Sequence, residues 1–254
     1  MKHLILLRAL LLTLLVSMLP SGKAIAQEAY VHFDGNETLT FYYDNNRSQR
    51  SGKTYDMNSG TENPKWRNGN ATRVVFDASF RNARPTTTAK WFESMGKLAT
   101  ITGMKDNLNT SEVTNMTHMF YQCFELTSAD VSNFDTHNVK NMSSMFFQCY
   151  KLPSLDVSGF DTQNVTSMYG MFLGCEKLTF LDLSSFDTSN VTDISYMFED
   201  CLELETIYAS VKFQHPKGTE HVLHVQRQQN AEEHRHEQLR HSERDEHVEH
   251  VQRL

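Results

Sequence analysis

Four cysteines stand at positions 123, 149, 175 and 201, at a constant 26-residue step. Other residue types keep the same step. Met119, Met145, Met171 and Met197 form one column, and Phe120, Phe146, Phe172 and Phe198 form the next. Val113, Val139, Val165 and Val191 form a third, and Phe134, Phe160 and Phe186 a fourth, each of these phenylalanines followed by an aspartate. The unit reads LxxLDLSxFDTxNVTxMxxMFxxC. A fixed period of this length signals a solenoid, in which each repeat is one rung that cannot bury its apolar face alone. The periodic apolar positions are therefore expected to be core columns. Such a chain offers a long repetitive surface and no ready-made cleft.

Within a rung, Leu178, Leu181 and Leu183 give the LxxLxL pattern of a leucine-rich repeat, with alternate residues of a short strand facing inward. Phe186 stands where that repeat class has Asn or Cys. Val191, Ile194 and Met197-Phe198 are spaced three apart, which predicts a short helix or 3₁₀ turn on the opposite side. Asp187 to Asn190 supply turn and cap chemistry between the two. The expected fold class is thus an α/β repeat solenoid with leucine-rich-repeat-like, 26-residue rungs over 98–212. Residues 27–97 follow the period poorly and read as a β-containing N-terminal cap. Leu39–Tyr43 and Arg73–Phe76 are its expected strands, and Trp91-Phe92 and Asp77–Phe80 are echoes of the repeat. A cap is needed because a bare first rung exposes core and unpaired backbone.

Positions 1–26 read as a secretory signal. Lys2 and Arg8 precede an apolar run from Leu10 to Leu19, and Ala24-Ile25-Ala26 is a small-residue cleavage site. The run is shorter than the ~20 residues that span a bilayer, and no later segment approaches that length. The mature chain is expected to be exported, with no transmembrane segment. A net charge of −7 argues against a nucleic-acid partner.

Export permits disulfides. Yet Cys123, Cys149, Cys175 and Cys201 each fall three residues after a Phe and three before a Leu, which is a core position. They read as a column of buried thiols, with disulfides between neighbouring rungs as the alternative. No paired CxxC or HxxxH spacing points to zinc, and no metal or cofactor is expected. Asp130, Asp156 and Asp182 form one acidic column, read as a solvent-facing row that shapes a ligand-binding face. Asp135, Asp161 and Asp187 form another, read as turn caps, with a calcium ladder as the alternative. No nucleophile is paired with a base. His118 and His137 occupy variable positions, and no catalytic residue is assigned. The sequon matches at Asn164 and Asn190 belong to a turn column.

Residues 213–254 differ in kind, holding many of the histidines. A metal-binding tail is the first reading, but the genetic code supplies another. Take the second and third bases of each codon with the first base of the next. Residues 236–254 are then compatible with MSSFDTxSVTNMSSMFSGC, which parallels Leu183 to Cys201 residue for residue. In this frame His before Glu or Val encodes Met or Thr, so that His221, His224, His247 and His250 would be methionines, in the columns of Met168, Met171, Ile194 and Met197. The 26-residue step persists with a displacement of one. The chain leaves its frame near Phe213-Gln214, and the tail as translated is expected to be disordered or a solvated helix.

The repeats LDVSGFDTQNVTSMYGMFLGC and LDLSSFDTSNVTDISYMFEDC resemble those of the BspA-like surface proteins, a mycoplasma-type repeat family similar to leucine-rich repeats. The opening LTFYYDNN and the stretch ARPTTTAKWFESMGKLATITG resemble their N-terminal part. The resemblance implies an exported bacterial surface protein that adheres to host matrix or to other cells, and it supplies no catalytic residue. The expected function is a binding or adhesion module for a protein or glycan ligand. A carbohydrate-active enzyme on a solenoid and a structural surface spacer are the alternatives.

Overall fold

The computed structural model describes residues 26–60 and 62–213. Apart from Ala26 and Phe213, the expected signal peptide (1–26) and out-of-frame tail (213–254) lie outside the described residues. So does the apolar run from Leu10 to Leu19.

The N-terminal part is built on a mixed five-stranded sheet. Its strands are β1 (Glu28–Phe33), β2 (Thr38–Asp44), β3 (Lys53–Asp56), β4 (Arg73–Phe76) and β5 (Thr100–Thr102), in the order β3-β1-β2-β4-β5. β1 is antiparallel to β2 and β3, whereas β4 is parallel to β2 and β5. The turn between β1 and β2 is organised by Asp34, whose Oδ1 accepts from the N–H groups of Asn36, Glu37 and Thr38 at 2.9–3.1 Å. Along β2, Leu39 and Phe41 are buried while their neighbours are half-exposed, the two-residue period of a one-sided strand. Phe41 lies among aromatic rings. It stacks on Phe76 at 4.6 Å and on Trp91 at 5.1 Å, and meets the edges of Trp66 and Phe80. Trp66 fixes this cluster by donating from Nε1 to the Trp91 carbonyl at 3.0 Å.

From residue 87 onward, units of similar length stack in parallel. Bridges join Thr87 to Asn115, Asn115 to Asn141, Asn141 to Ser167, and Ser167 to Asp193. The last three steps keep the cysteine period, and the first is longer by two positions. Phe92, Phe120, Phe146, Phe172 and Phe198 form one ring column, with centroids 5.1–5.9 Å apart. Phe134, Phe160 and Phe186 form a second, at 6.4 Å and within 6° of parallel. Met119, Met145, Met171 and Met197 are fully buried beside them. Phe92 ties the N-terminal aromatic cluster to the first column, so one continuous core runs through both parts. β5 carries the N-terminal sheet past position 98 into the first unit.

The segments expected to be short helices are not helical. Residues 116–126 form successive turns, with Met119 N–H bonding to Met116, Tyr121 to His118, Cys123 to Phe120 and Leu126 to Cys123. Every second amide from 116 to 122 bonds instead to the next unit: Met116 to Asn141, His118 to Ser143, Phe120 to Met145 and Gln122 to Phe147. This alternation uses left-handed residues four apart. They are His118 and Gln122, then Ser144 and Gln148, Gly170 and Gly174, and Tyr196 and Asp200. A left-handed residue every fourth position is incompatible with a right-handed helix. A one-turn helix, α1 (Met104–Asn107), follows β5.

The LxxLxL strand forms in the last two units, where β6 (Phe180–Leu183) pairs in parallel with β7 (Thr206–Ala209). The matching segments after Leu126 and Leu152 form no such ladder. Pro153 contributes to this, because it has no N–H to donate. Among the described residues, no helix is long and apolar enough to cross a membrane.

Candidate ligand-binding surface

The acidic column at Asp130, Asp156 and Asp182 lies at the surface, but its carboxylates are not free. Asp130 Oδ1 accepts from the Ser132 hydroxyl at 2.7 Å and its N–H at 3.3 Å. Asp156 holds Ser158 in the same way, at 2.6 and 3.1 Å, and Asp182 accepts from the Ser184 N–H at 2.9 Å. The Ser132 hydroxyl above all holds the Asp130 carboxyl below the usual range, with help from Lys105, and the Ser184 hydroxyl does the same for Asp182. One oxygen of each carboxylate is thus committed to an Asx turn. The same geometry recurs at Asp77, which accepts from Ser79 N–H at 2.9 Å, so the sequence echo at Asp77–Phe80 is the repeat's own turn.

The second acidic column does the same one turn later. Asp135, Asp161 and Asp187 accept from the backbone N–H of His137, Gln163 and Ser189. The adjoining threonines are buried and cross-link units. Thr110, Thr136 and Thr162 donate to the carbonyls of Asp135, Asp161 and Asp187 at 2.9–3.0 Å. Asn138, Asn164 and Asn190 donate backward to Ser111, His137 and Gln163. These ladders hold the stack together and leave little chemistry for a ligand.

Cys123, Cys149, Cys175 and Cys201 are free thiols and all buried. Each Sγ donates to the carbonyl of a column phenylalanine in the preceding unit, at 3.1–3.3 Å. Burial raises all four thiol pKa values, that of Cys201 to about 12.

The variable columns build a different surface. Tyr121 stacks on Phe147 at 4.5 Å and 13°, and His118 packs on Tyr121 at 4.6 Å. Below them Glu93 accepts from His118 Nδ1 at 3.0 Å and from Arg67 at 3.1 Å. Three residues further along the same turns, Phe124 stacks on Tyr150 at 5.2 Å and 12°. Between the two ring pairs runs an amide row: Ser94 donates to Gln122, and Gln122 Nε2 donates to Gln148 at 3.1 Å. Glu125 and Lys151 close the edge with an ion pair at 2.6 Å. All six ring and amide residues of the two turns (Tyr121, Phe147, Phe124, Tyr150, Gln122 and Gln148) are half-buried. Further along, the columns turn acidic, with Glu176, Glu199 and Asp200. Burial, then the charges of Glu176 and Asp200, raises the Tyr150 pKa. The result is a strip of stacked ring pairs and amides, grading into carboxylates.

Reading the repeat from its constant positions misses this strip, because its columns are the ones that vary. The available signal is aromatic residues at 121 and 147 and at 124 and 150, both one period apart.

Residues 86–211 match the family model described as Mycoplasma protein of unknown function, DUF285. The match begins at the first bridged unit and runs to just past β7. No curated protein and no solved structure matches the chain.

Proposed function

We propose that this chain is an exported bacterial surface protein whose leucine-rich-repeat-like solenoid acts as a binding module. Its ligand is a protein or glycan on host or neighbouring cells, and its contact surface is the strip of His118, Tyr121, Phe147, Phe124 and Tyr150 with Gln122 and Gln148. The observation that carries this reading is the pair of stacked, half-exposed ring ladders separated by an amide row. Half-exposed stacked rings with neighbouring hydrogen-bonding amides suit the C–H groups and hydroxyls of a sugar, or an aromatic-rich protein contact. The signal-like N-terminus and the resemblance of the repeats to the BspA-like surface proteins support export. The ordered use of both aspartate columns in turn capping supports a scaffold role for them and moves the ligand face to the rings.

The test is binding of the purified mature chain to immobilised host matrix proteins, a glycan panel and intact partner cells. Saturable binding to one of these, weakened by substitutions in the strip, supports the module. Absence of binding to all three supports a structural spacer. Turnover of a glycan supports the enzyme alternative and overturns the proposal.

A further inference from the structure

Along the turns that carry the ring column, backbone amides donate to the unit that follows. Four alternate amides of each unit donate to carbonyls of the unit that follows. In the third unit Met142, Ser144, Phe146 and Gln148 donate to Ser167, Tyr169, Met171 and Leu173 at 2.6–3.0 Å. In the fourth, Met168, Gly170, Phe172 and Gly174 donate to Asp193, Ser195, Met197 and Glu199 at 2.8–3.0 Å. The matching amides of the fifth unit are those of Ile194, Tyr196, Phe198 and Asp200. None has an acceptor among the described residues. The core is also less covered there. Val191, Phe198, Cys201 and Leu204 are 4–7 % exposed, whereas their counterparts in the previous unit, Val165, Phe172, Cys175 and Leu178, are at 0 %. Four parallel amides and a partly open core make a face shaped for one more unit, since unpaired backbone donors beside apolar surface are costly.

We propose that this face is the docking site of a further rung encoded by codons 214–254 in the next reading frame. Read one base later, codons 221, 224 and 225 can specify Met, Met and Phe, 27 positions beyond Ile194, Met197 and Phe198. Codons 247, 250 and 251 can repeat the pattern. The backbone carbonyls at codons 220, 222, 224 and 226 then fall where the four amides need acceptors. The displacement of one residue is absorbed between β7 and Phe213, where Ser210 to Phe213 holds one residue more than Ser184 to Phe186. A solenoid tolerates an extra residue in a turn, because each unit contacts only its neighbours.

Two measurements decide the matter. The first is the DNA sequence. His221, His224, His247 and His250 must each be encoded by CAT, since CAC before G gives threonine in the shifted frame. CAC at any of the four overturns the proposal. The second is amide hydrogen exchange on the full chain and on one made from a gene with a single base deleted between codons 213 and 214. The amides of Ile194, Tyr196, Phe198 and Asp200 are expected to exchange rapidly in the first. In the second they are expected to slow at least tenfold, towards the rates of Met168, Gly170, Phe172 and Gly174. Protection already present in the unaltered chain, whether by another segment or, if concentration-dependent, by a second copy, contradicts the proposal. So does a lack of protection in the altered one.

Discussion

The thiol of Cys149 donates to the backbone carbonyl of Phe120, 29 residues earlier and one unit below, at 3.3 Å. Cys123, Cys175 and Cys201 repeat the contact on Phe92, Phe146 and Phe172. The cysteine column is therefore a structural rivet: a small apolar group that also answers a buried carbonyl.

In the folded chain all four thiols are expected to resist a thiol reagent at pH 8, because burial excludes the reagent and keeps the thiols protonated. After denaturation without reductant, all four react. A mass spectrum showing two disulfides contradicts this. Cys149→Ala removes both packing and the hydrogen bond, and is expected to cost about 1–2 kcal/mol by urea denaturation.

Phe146 stacks on Phe120 at 5.1 Å and on Phe172 at 5.9 Å, and is fully buried. Phe146→Ala is expected to destabilise the chain by about 3–5 kcal/mol. Because stacked units are stabilised by their neighbours, exchange protection is expected to fall in the units on both sides. Loss confined to residues 142–152 contradicts a continuous core.

Ser144 is buried at φ +53°, and the same position of the next unit is Gly170 at +54°. Ser144→Gly is therefore expected to be tolerated, within about 1 kcal/mol. Ser144→Val forces a β-branched residue into the left-handed region and is expected to cost about 1–3 kcal/mol. Thermal melts of the two variants separate these outcomes.

These left-handed positions mark the limit of what the sequence reveals. The core columns are legible because burial demands the same apolar residue once per period. The turn geometry demands only a backbone conformation, and His118, Ser144, Gly170 and Tyr196 all adopt it, so glycine flags only one of the four. The spacing of Val191, Ile194 and Met197 imitates a helix because successive turns also return a side chain to the core every three residues. The first unit is partly hidden because the step from Thr87 to Asn115 is two positions longer than the period. The ring strip is hidden because Tyr121, Phe147, Leu173 and Glu199 share a column without sharing a residue type.

Asp187 accepts from the Ser189 hydroxyl at 2.5 Å and from the Ser189 N–H, and pairs with Lys212 at 3.0 Å. These contacts, the Ser189 hydroxyl foremost, lower its carboxyl pKa from 3.8 to about 2. A carboxyl depressed in the folded state stabilises it above the unfolded value and loses that contribution as the pH falls through the folded value. Urea midpoints are expected to drop between pH about 4 and pH about 2, with a shallower drop in Asp187→Asn. An identical pH profile in the variant contradicts the assignment.

The ring strip, rather than the aspartate columns, is proposed to meet the ligand. The most direct test compares three proteins on the same immobilised matrix proteins, glycan panel and partner cells. These are the unaltered chain, the double variant Tyr121→Leu/Phe147→Leu, and the triple variant Asp130→Asn/Asp156→Asn/Asp182→Asn. Leucine already occupies this column at Leu173, so the double variant puts a side chain that the column accommodates in place of the two rings. Binding by the double variant is expected to weaken at least about tenfold, a loss near ~1.4 kcal/mol, with little change for the triple variant. Full binding by the double variant, with loss in the triple one, contradicts the proposal.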